Sequence, residues 1–582
     1  MIAIRIRENK KIKCITINGV EIKLSVYADD MTLFPINIES ATEIFQELDL
    51  FSKISGLRCN QDKTEALRLG KCNIDHGNGL QVKWVKEITI TGVIFTEFGI
   101  DIDKNVGPIP KKIESQLQKW NAQQISLLGR SQIIKTFGFS QIRFLSNIMT
   151  LPLETINMIK SQVFNFLWNG SERGKVKRRA ITADYDKGGV RFPDLDSIIS
   201  AQHIGWIKRF LFSPDHSWKA IFTWQMEKLG GSHILENKCL DVQSIQERSL
   251  MTHYKYILIS WGNFNQMDIT QENVLEQQIF MNRHIVRPNK QTIFYPSLIR
   301  KGIIYIKDIV RDGRVHTAEE MRLNKQLNVT EFMQYISILQ CLDARTKQLI
   351  NTVTVTDNPL APYQINDLRT MKPKRIYEKI LTKSIERPTS EEKLNSLMST
   401  SFNIDDWKLI YKMPFLSTIE SKLRSFQFKI NHNIYYTNEK LLMVKKSETD
   451  KCYFCEQETE TLIHFFIKCP KVLMLWRYIN TIISRTHQIG ELTTPEKIIG
   501  MHTRVEQPEY DIINHLIIVI KHFIHICKHK KTEPSIPGLI SKILDTEAIE
   551  KIIAEKKNKK ERHDFKWKAF LDELSATQRR TQ

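Results

Sequence analysis

Apolar and polar positions along the chain change texture near residue 105. Before it, apolar residues come in short runs. Ile12 to Ile17 and Ile22 to Val26 are β-prone segments around Asn18-Gly19, a dipeptide suited to a tight hairpin. Leu24-Ser-Val-Tyr27-Ala-Asp29-Asp30-Met-Thr-Leu-Phe34 repeats the theme, with two aspartates between two apolar runs, and predicts a second hairpin with a carboxylate pair at its tip. Ala41, Ile44, Phe45, Leu48, Phe51 and Ile54 then recur mostly at spacings of three and four. They predict a helix over 39–54, with Ser40 as cap and Ser55-Gly56 as stop. Lys86 to Phe95 alternates in part and reads as one strand, Gly92 marking a bulge or a close backbone approach.

From about 106 the pattern is helical. Pro108 and Pro110 mark the change, and Ile113, Leu117 and Trp120 form one stripe. Leu127, Leu128, Ile133, Ile134 and Phe137 form the next. A helix over 153–168 carries Ile156, Ile159, Val163, Phe166 and Leu167 on one face, between Pro152 and Gly170. Such stripes read as core. A basic loop follows at 171–179, then Lys187-Gly-Gly-Val-Arg-Phe-Pro-Asp194-Leu. Residues 200–440 read as further helices without a repeat of fixed period. The expected architecture is mixed α/β at the N-terminus, followed by a mostly α-helical remainder. Its tail, rich in lysine from Lys556 to Lys568, is expected to be a solvated helix or partly disordered.

Composition narrows the function classes. A chain of 582 residues has room for several domains, and its 41% apolar content is that of a folded protein. Its 85 Lys+Arg against 65 Asp+Glu, a net charge of +20, point to a polyanionic partner, most simply nucleic acid. Leu516 to Ile520 is followed by Lys521 and His522 and reads as too short to span a bilayer, so no membrane partner is expected. Met1 to Arg7 lacks the pattern of a signal peptide. Nine cysteines in this length suggest a reducing, intracellular setting rather than a disulfide scaffold.

Two constellations carry chemistry. Asp29 and Asp30 are either a surface turn or ligands for a hard divalent cation, which takes carboxylate oxygens together with substrate phosphates. Cys452, Cys455, His464 and Cys469 give the spacing C-x2-C-x8-H-x4-C. Three thiolates and an imidazole suit a closed, structural tetrahedral Zn²⁺ site, the alternative being three buried thiols with a histidine by chance. Lys446, Lys451 and Lys468 lie near it in sequence.

Several of these segments fall into one order. The chain resembles the C-terminal part of the polyprotein of LINE-type, non-LTR retrotransposons, which are reverse transcriptases. The resemblance rests on Ser25 to Phe34, on Phe51 to Thr64 with its Gly56, Asn60 and Lys63, on Ile90 to Val93 and on Trp120 to Lys135. Phe166 to Gly170, Gly188 to Leu195 and the Cys452 to Cys469 spacing continue it. It implies a partial right-hand polymerase palm over 1–105, a thumb-like helical region over 106–170, and a helical connector with the basic loop over 171–400. A zinc-binding region over 401–500 and a basic tail over 501–582 complete it. It also implies two-metal nucleotidyl transfer with Mg²⁺ or Mn²⁺, Asp29 and Asp30 as ligands, Tyr27 near the nucleotide or primer end, and Lys63 near the leaving pyrophosphate. Lys63 otherwise reads as a surface lysine. Arg130, Lys135, Arg173, Lys175, Lys177, Arg178 and Arg179 would hold phosphates of an RNA template and DNA primer. Deoxynucleotides would be the substrates, and the nucleus a working compartment beside the cytoplasm.

The family has a third carboxylate on an earlier palm strand. Here only Glu8 and Glu21 precede Asp29, and neither lies in an apolar strand setting. The expectation is a truncated chain without polymerase activity of its own, unless a partner supplies the rest of the polymerase in trans, with apolar surface left exposed where that rest would pack. The alternative is a nucleic-acid-binding remnant that uses the thumb and zinc regions without catalysis.

Overall fold

The computed structural model describes residues 1–70, 82–170, 175–352 and 363–581. The chain divides into two compact units, each assembled from separated stretches. One contains Met1–Lys112, Gln141–Met158 and Leu195–Ile380, the other Ile113–Ser140, Ile159–Asp194 and Leu381–Gln582.

The first unit begins with small sheets. Strands β1 (Ile15–Ile17) and β2 (Val20–Ile22) pair across Asn18-Gly19, both at positive φ, as that dipeptide favours. Strands β3 (Leu24–Tyr27) and β4 (Asp30–Leu33) form the aspartate hairpin, in register Tyr27 to Asp30. The next helix, α1 (Ile38–Ser55), is capped by the Asn37 side chain rather than by Ser40. Ser40 is instead buried one turn inside, where its hydroxyl accepts from Lys13 N–H. Gly56 ends the helix in the left-handed conformation. Ile6, Ile12, Cys14, Leu24 and Ile44 form a small core for this region.

Strands β5 (Glu65–Leu67) and β6 (Lys83–Val85) pair in parallel. The predicted single strand over 86–95 is two: β7 (Glu87–Ile90) turns through Thr91-Gly92, both at positive φ, into β8 (Val93–Thr96). Gly92 is therefore a hairpin corner, not a bulge. Ile54, Leu57 and Phe98 stand exposed. The rest of this unit is mostly helical, with a small hairpin at Val310–Arg311 and Arg314–Val315, around two cores centred on Trp261 and on Tyr335.

Helix α2 (Leu153–Leu167) buries Ile159, Val163, Phe166 and Leu167. A large core of the second unit takes residues from α3 (Ile404–Ser417), α4 (Ser421–Asn431), α5 (Pro470–His487), α6 (Asp511–Lys530), α7 (Ile536–Lys556) and α8 (Lys560–Thr581). The lysine-rich tail is thus helix with a buried face: Trp567, Phe570 and Leu574 lie in the core. Helix α6 is long and apolar enough, by length and composition, to cross a membrane, which the five-residue run Leu516 to Ile520 did not suggest. Most of its apolar surface is buried within this unit, and Lys521 within it is 0% exposed, donating to the Gln427 side chain and to the Ile498 carbonyl.

The glycine pair after the basic loop has a packing reason. A Cβ on Gly189 would lie 1.9 Å from the Ala183 carbonyl oxygen, and the Gly188 carbonyl accepts from buried His432 Nε2–H at 2.7 Å.

Candidate metal centre and basic surface

The four Cys/His residues converge. Cys452 N–H donates to the Glu458 carbonyl at 2.8 Å and its carbonyl accepts from Glu456 N–H at 2.9 Å, closing a tight turn. Glu456 turns the chain with a φ of 57°. Cys455 lies at the other end of that turn. His464 and Cys469 are five residues apart, and on an α-helix such positions point about 140° away from each other. Here the segment His464–Lys468 is a π-turn, closed by Cys469 N–H to the His464 carbonyl at 2.8 Å. The wider turn brings the two side chains round to one side.

The geometry fits zinc. A tetrahedral ion bound at about 2.3 Å to sulfur and about 2.0 Å to nitrogen sets two sulfurs about 3.8 Å apart, and sulfur and nitrogen about 3.5 Å apart. The Cys452 and Cys469 sulfurs are 3.9 Å apart, Cys455 Sγ and His464 Nε2 are 3.3 Å apart, and all four ligand atoms lie within 4.8 Å of one another. The Cys452 thiol is held well below its ordinary pKa by the Cys469 S–H, despite burial, with help from the Cys455 and Phe454 amides. The same contact, then burial, raise the Cys469 thiol, so zinc binding must displace that proton to hold both sulfurs as thiolates. All four corners are protein ligands, so the centre is structural and holds no open position for chemistry.

Glu460, 0% exposed, braces the turn. Its carboxylate accepts from Asn438 N–H (2.9 Å) and Tyr453 N–H (2.8 Å), and pairs with Lys528 of α6. The Phe454 and Phe465 rings stack at 5.5 Å, and Trp476 Nε1–H donates to the Phe466 carbonyl. These contacts tie the metal turn into the core of the second unit. Sequence reasoning missed Glu460, because nothing in the pattern distinguishes a buried glutamate from a helix-start residue.

The aspartate hairpin belongs to the first unit. Ala28 sits at φ 53°, a conformation that residues with a Cβ rarely adopt, and it directs the loop so that Tyr27, Asp29 and Asp30 are all exposed. Among the described residues, no third carboxylate or imidazole joins Asp29 and Asp30 in a metal-holding group. Two carboxylates suffice for one Mg²⁺ when substrate phosphates complete its shell. Lys63 is exposed at the end of a short turn capped by Asn60.

The predicted phosphate-binding residues separate into different roles. Arg130, expected to hold phosphate, is 5% exposed: its guanidinium donates to the Phe166 carbonyl (2.9 Å) and Asn169 Oδ1 (2.8 Å) and lies over the Phe166 ring. It is a packing residue of the second unit. Lys177 and Arg179 both pair with Glu386, and Arg178 lies over the Phe164 ring. Lys135 is exposed on the π-turn Ile134–Gly138. Arg173 lies outside the described residues. Among the described residues of the loop, Lys175 meets further cations: its ammonium lies 4.7 Å from the Tyr436 ring centre, and burial, then Lys429 and Lys446, lower its pKa. Lys429 and Tyr436 carry no sequence signal of their own, because they join Lys175 only through the fold.

Comparison with known proteins agrees with this geometry. Residues 389–476 match the family described as zinc-binding in reverse transcriptase, a stretch that contains Cys452, Cys455, His464 and Cys469. A segment of 205 residues is 23% identical to a Xenopus laevis protein described as the transposon TX1 uncharacterized 149 kDa protein. That segment is 34% of this chain and 16% of the relative's length. Residues 389–476, with the zinc-binding turn, thus resemble the zinc-binding region of reverse transcriptases, and the likeness to a transposon protein points the same way.

Proposed function

We propose that this chain serves RNA-directed DNA synthesis by a retrotransposon, binding RNA template and DNA primer inside the cell, the nucleus included. The zinc turn within residues 389–476 carries this reading, and the net charge of +20 supports it. In this reading residues 1–105 are palm, 106–170 thumb, and the Tyr27-Ala-Asp-Asp30 hairpin the family's catalytic hairpin. Asp29 and Asp30 would hold Mg²⁺ or Mn²⁺, which supplies charge stabilisation for phosphoryl transfer when bound. Tyr27 would lie along the nucleotide or primer end, and Lys63 would face the leaving phosphates.

Two-metal transfer needs ligands that bridge two ions on the attacking and leaving oxygens. The described residues offer the hairpin pair without a third carboxylate. The chain therefore binds nucleic acid but does not polymerise alone. The test is primer extension on an RNA template with Mg²⁺ and Mn²⁺, alongside binding of the same template-primer. The expected result is salt-dependent binding, unchanged by Asp29→Asn with Asp30→Asn, and no extension. Extension by the chain alone that is lost on Asp29→Ala overturns the inactivity, and absence of binding at low salt overturns the reading altogether.

A further inference from the structure

The second unit gathers cations that the hairpin chemistry does not use. Lys175 lies in the basic loop, Lys429 lies on α4, and Lys446 lies just past the helix Asn438–Met443. All three are exposed, and among the described residues none is ion-paired. Lys177 and Arg179 are neutralised by Glu386, whereas Lys429 and Lys446 act electrostatically on Lys175. Tyr436 completes the group. It is 43% exposed, with the Lys175 ammonium over one face of its ring.

The position of Tyr436 follows from the metal turn. Residues 434–437 belong to no helix or strand. Tyr435 turns inward, its ring 5.0 Å from Phe466 of the π-turn and its hydroxyl 3.0 Å from His525 Nδ1. Tyr436, next to it, faces outward. The next residues are fastened to the metal turn by Asn438 N–H to Glu460 and by Asn438 Nδ2–H to the Lys451 carbonyl. The structural metal site thus fixes an aromatic ring beside the Lys175 ammonium, on which the Lys429 and Lys446 charges also act.

We propose that Lys175, Lys429, Lys446 and Tyr436 form a binding site for single-stranded nucleic acid, the lysines taking successive phosphates and the tyrosine ring stacking an unpaired base. This rests on the nucleic-acid reading given above and adds the place and the strandedness. Like charges held together without counter-ions are relieved by a polyanion, and an exposed ring accepts a base only where the base is free of a duplex. The zinc turn then serves binding indirectly, by holding the ring in place.

The experiment measures binding of fluorescein-labelled single-stranded 20-mers of RNA and DNA to the full chain by anisotropy, across a potassium chloride series. Three contacts on a single strand contribute about 2 to the slope of log affinity against log salt. Lys175→Ala/Lys429→Ala/Lys446→Ala is expected to remove about that much and to weaken binding at least tenfold at low salt. Tyr436→Ala is expected to weaken binding about fivefold or more with the slope unchanged. Lys-to-Arg exchanges at the three sites are expected to preserve the slope. A charge-matched control, Lys556→Ala/Lys557→Ala/Lys559→Ala, is expected to change it little. An equal loss in the control, or equal competition by a duplex of the same length, overturns this site while leaving nucleic-acid binding intact. Absence of salt-dependent binding by the unaltered chain overturns the functional reading beneath it as well.

Discussion

Glu460 offers the sharpest test of how the metal turn is held. Glu460→Ala removes the acceptor for two backbone amides, those of Asn438 and Tyr453, and leaves the Lys528 ammonium, with 14% of its side chain exposed, without its carboxylate. Breaking a buried ion pair from one side costs about 3–5 kcal/mol. Each amide left buried without a partner costs about 1–3 kcal/mol, overlapping in part with the first figure. Tyr453 sits on the turn that carries Cys452 and Cys455, and Asn438 and Lys528 hold Glu460 from neighbouring helices, so the loss falls on zinc binding. Supporting residues around a metal site typically change affinity by about 10–100-fold. The expected outcome is at least a tenfold rise in the zinc dissociation constant, read by competition with a chromogenic chelator, and faster hydrogen exchange at the Tyr453 and Asn438 amides. Lys528→Met should cost less, because Glu460 keeps both amide donors. The double variant Glu460→Gln/Lys528→Met should recover part of the loss, since neither charge is then left alone. Zinc affinity within threefold of the unaltered chain, with unchanged exchange at both amides, would refute the bracing role.

Further outcomes follow from the second unit. Cys469→Ser should abolish stoichiometric zinc by metal analysis and loosen the Phe465–Phe466–Trp476 packing, seen as a shift in tryptophan fluorescence; retention of one zinc per chain counts against the four-ligand site. Burial lowers the Lys521 pKa well below its ordinary value, so the unfolded chain binds more protons there and stability should rise with pH through the window up to about 10.5, at most about 1.4 kcal/mol per pH unit. Lys521→Met should flatten that rise in denaturant titrations, and an unchanged slope would show that the amine titrates normally. Burial also pushes His432 down to about 4, and burial followed by Lys566 pushes His515 down to about 3. Both are neutral when folded and charge on unfolding, so stability should fall as pH drops from about 6.5 toward 4. His515→Gln should make that fall shallower.

The sequence by itself determined what depends on local chemistry. Hairpins at Asn18-Gly19 and at the aspartate pair follow from turn residues between β-prone runs, and α1 and α2 follow from apolar spacing. The metal set was legible because zinc imposes residue types and intervals that few other constraints would produce. Where neighbouring residues compete for one role, the sequence did less well: Asn37 took the cap assigned to Ser40, and Thr91-Gly92 made a corner inside an expected strand. Tertiary structure alone decided which cations are available. Arg130, Lys177, Arg179 and Lys175 look alike in sequence, but one is buried on carbonyls, two are spent on Glu386, and the last is left with Lys429 and Lys446. The buried partners Glu460 and Lys528 are likewise joined only by folding, across 68 residues. A charge's role is set by what lies within a few ångströms of it in space, and a linear pattern does not record that distance.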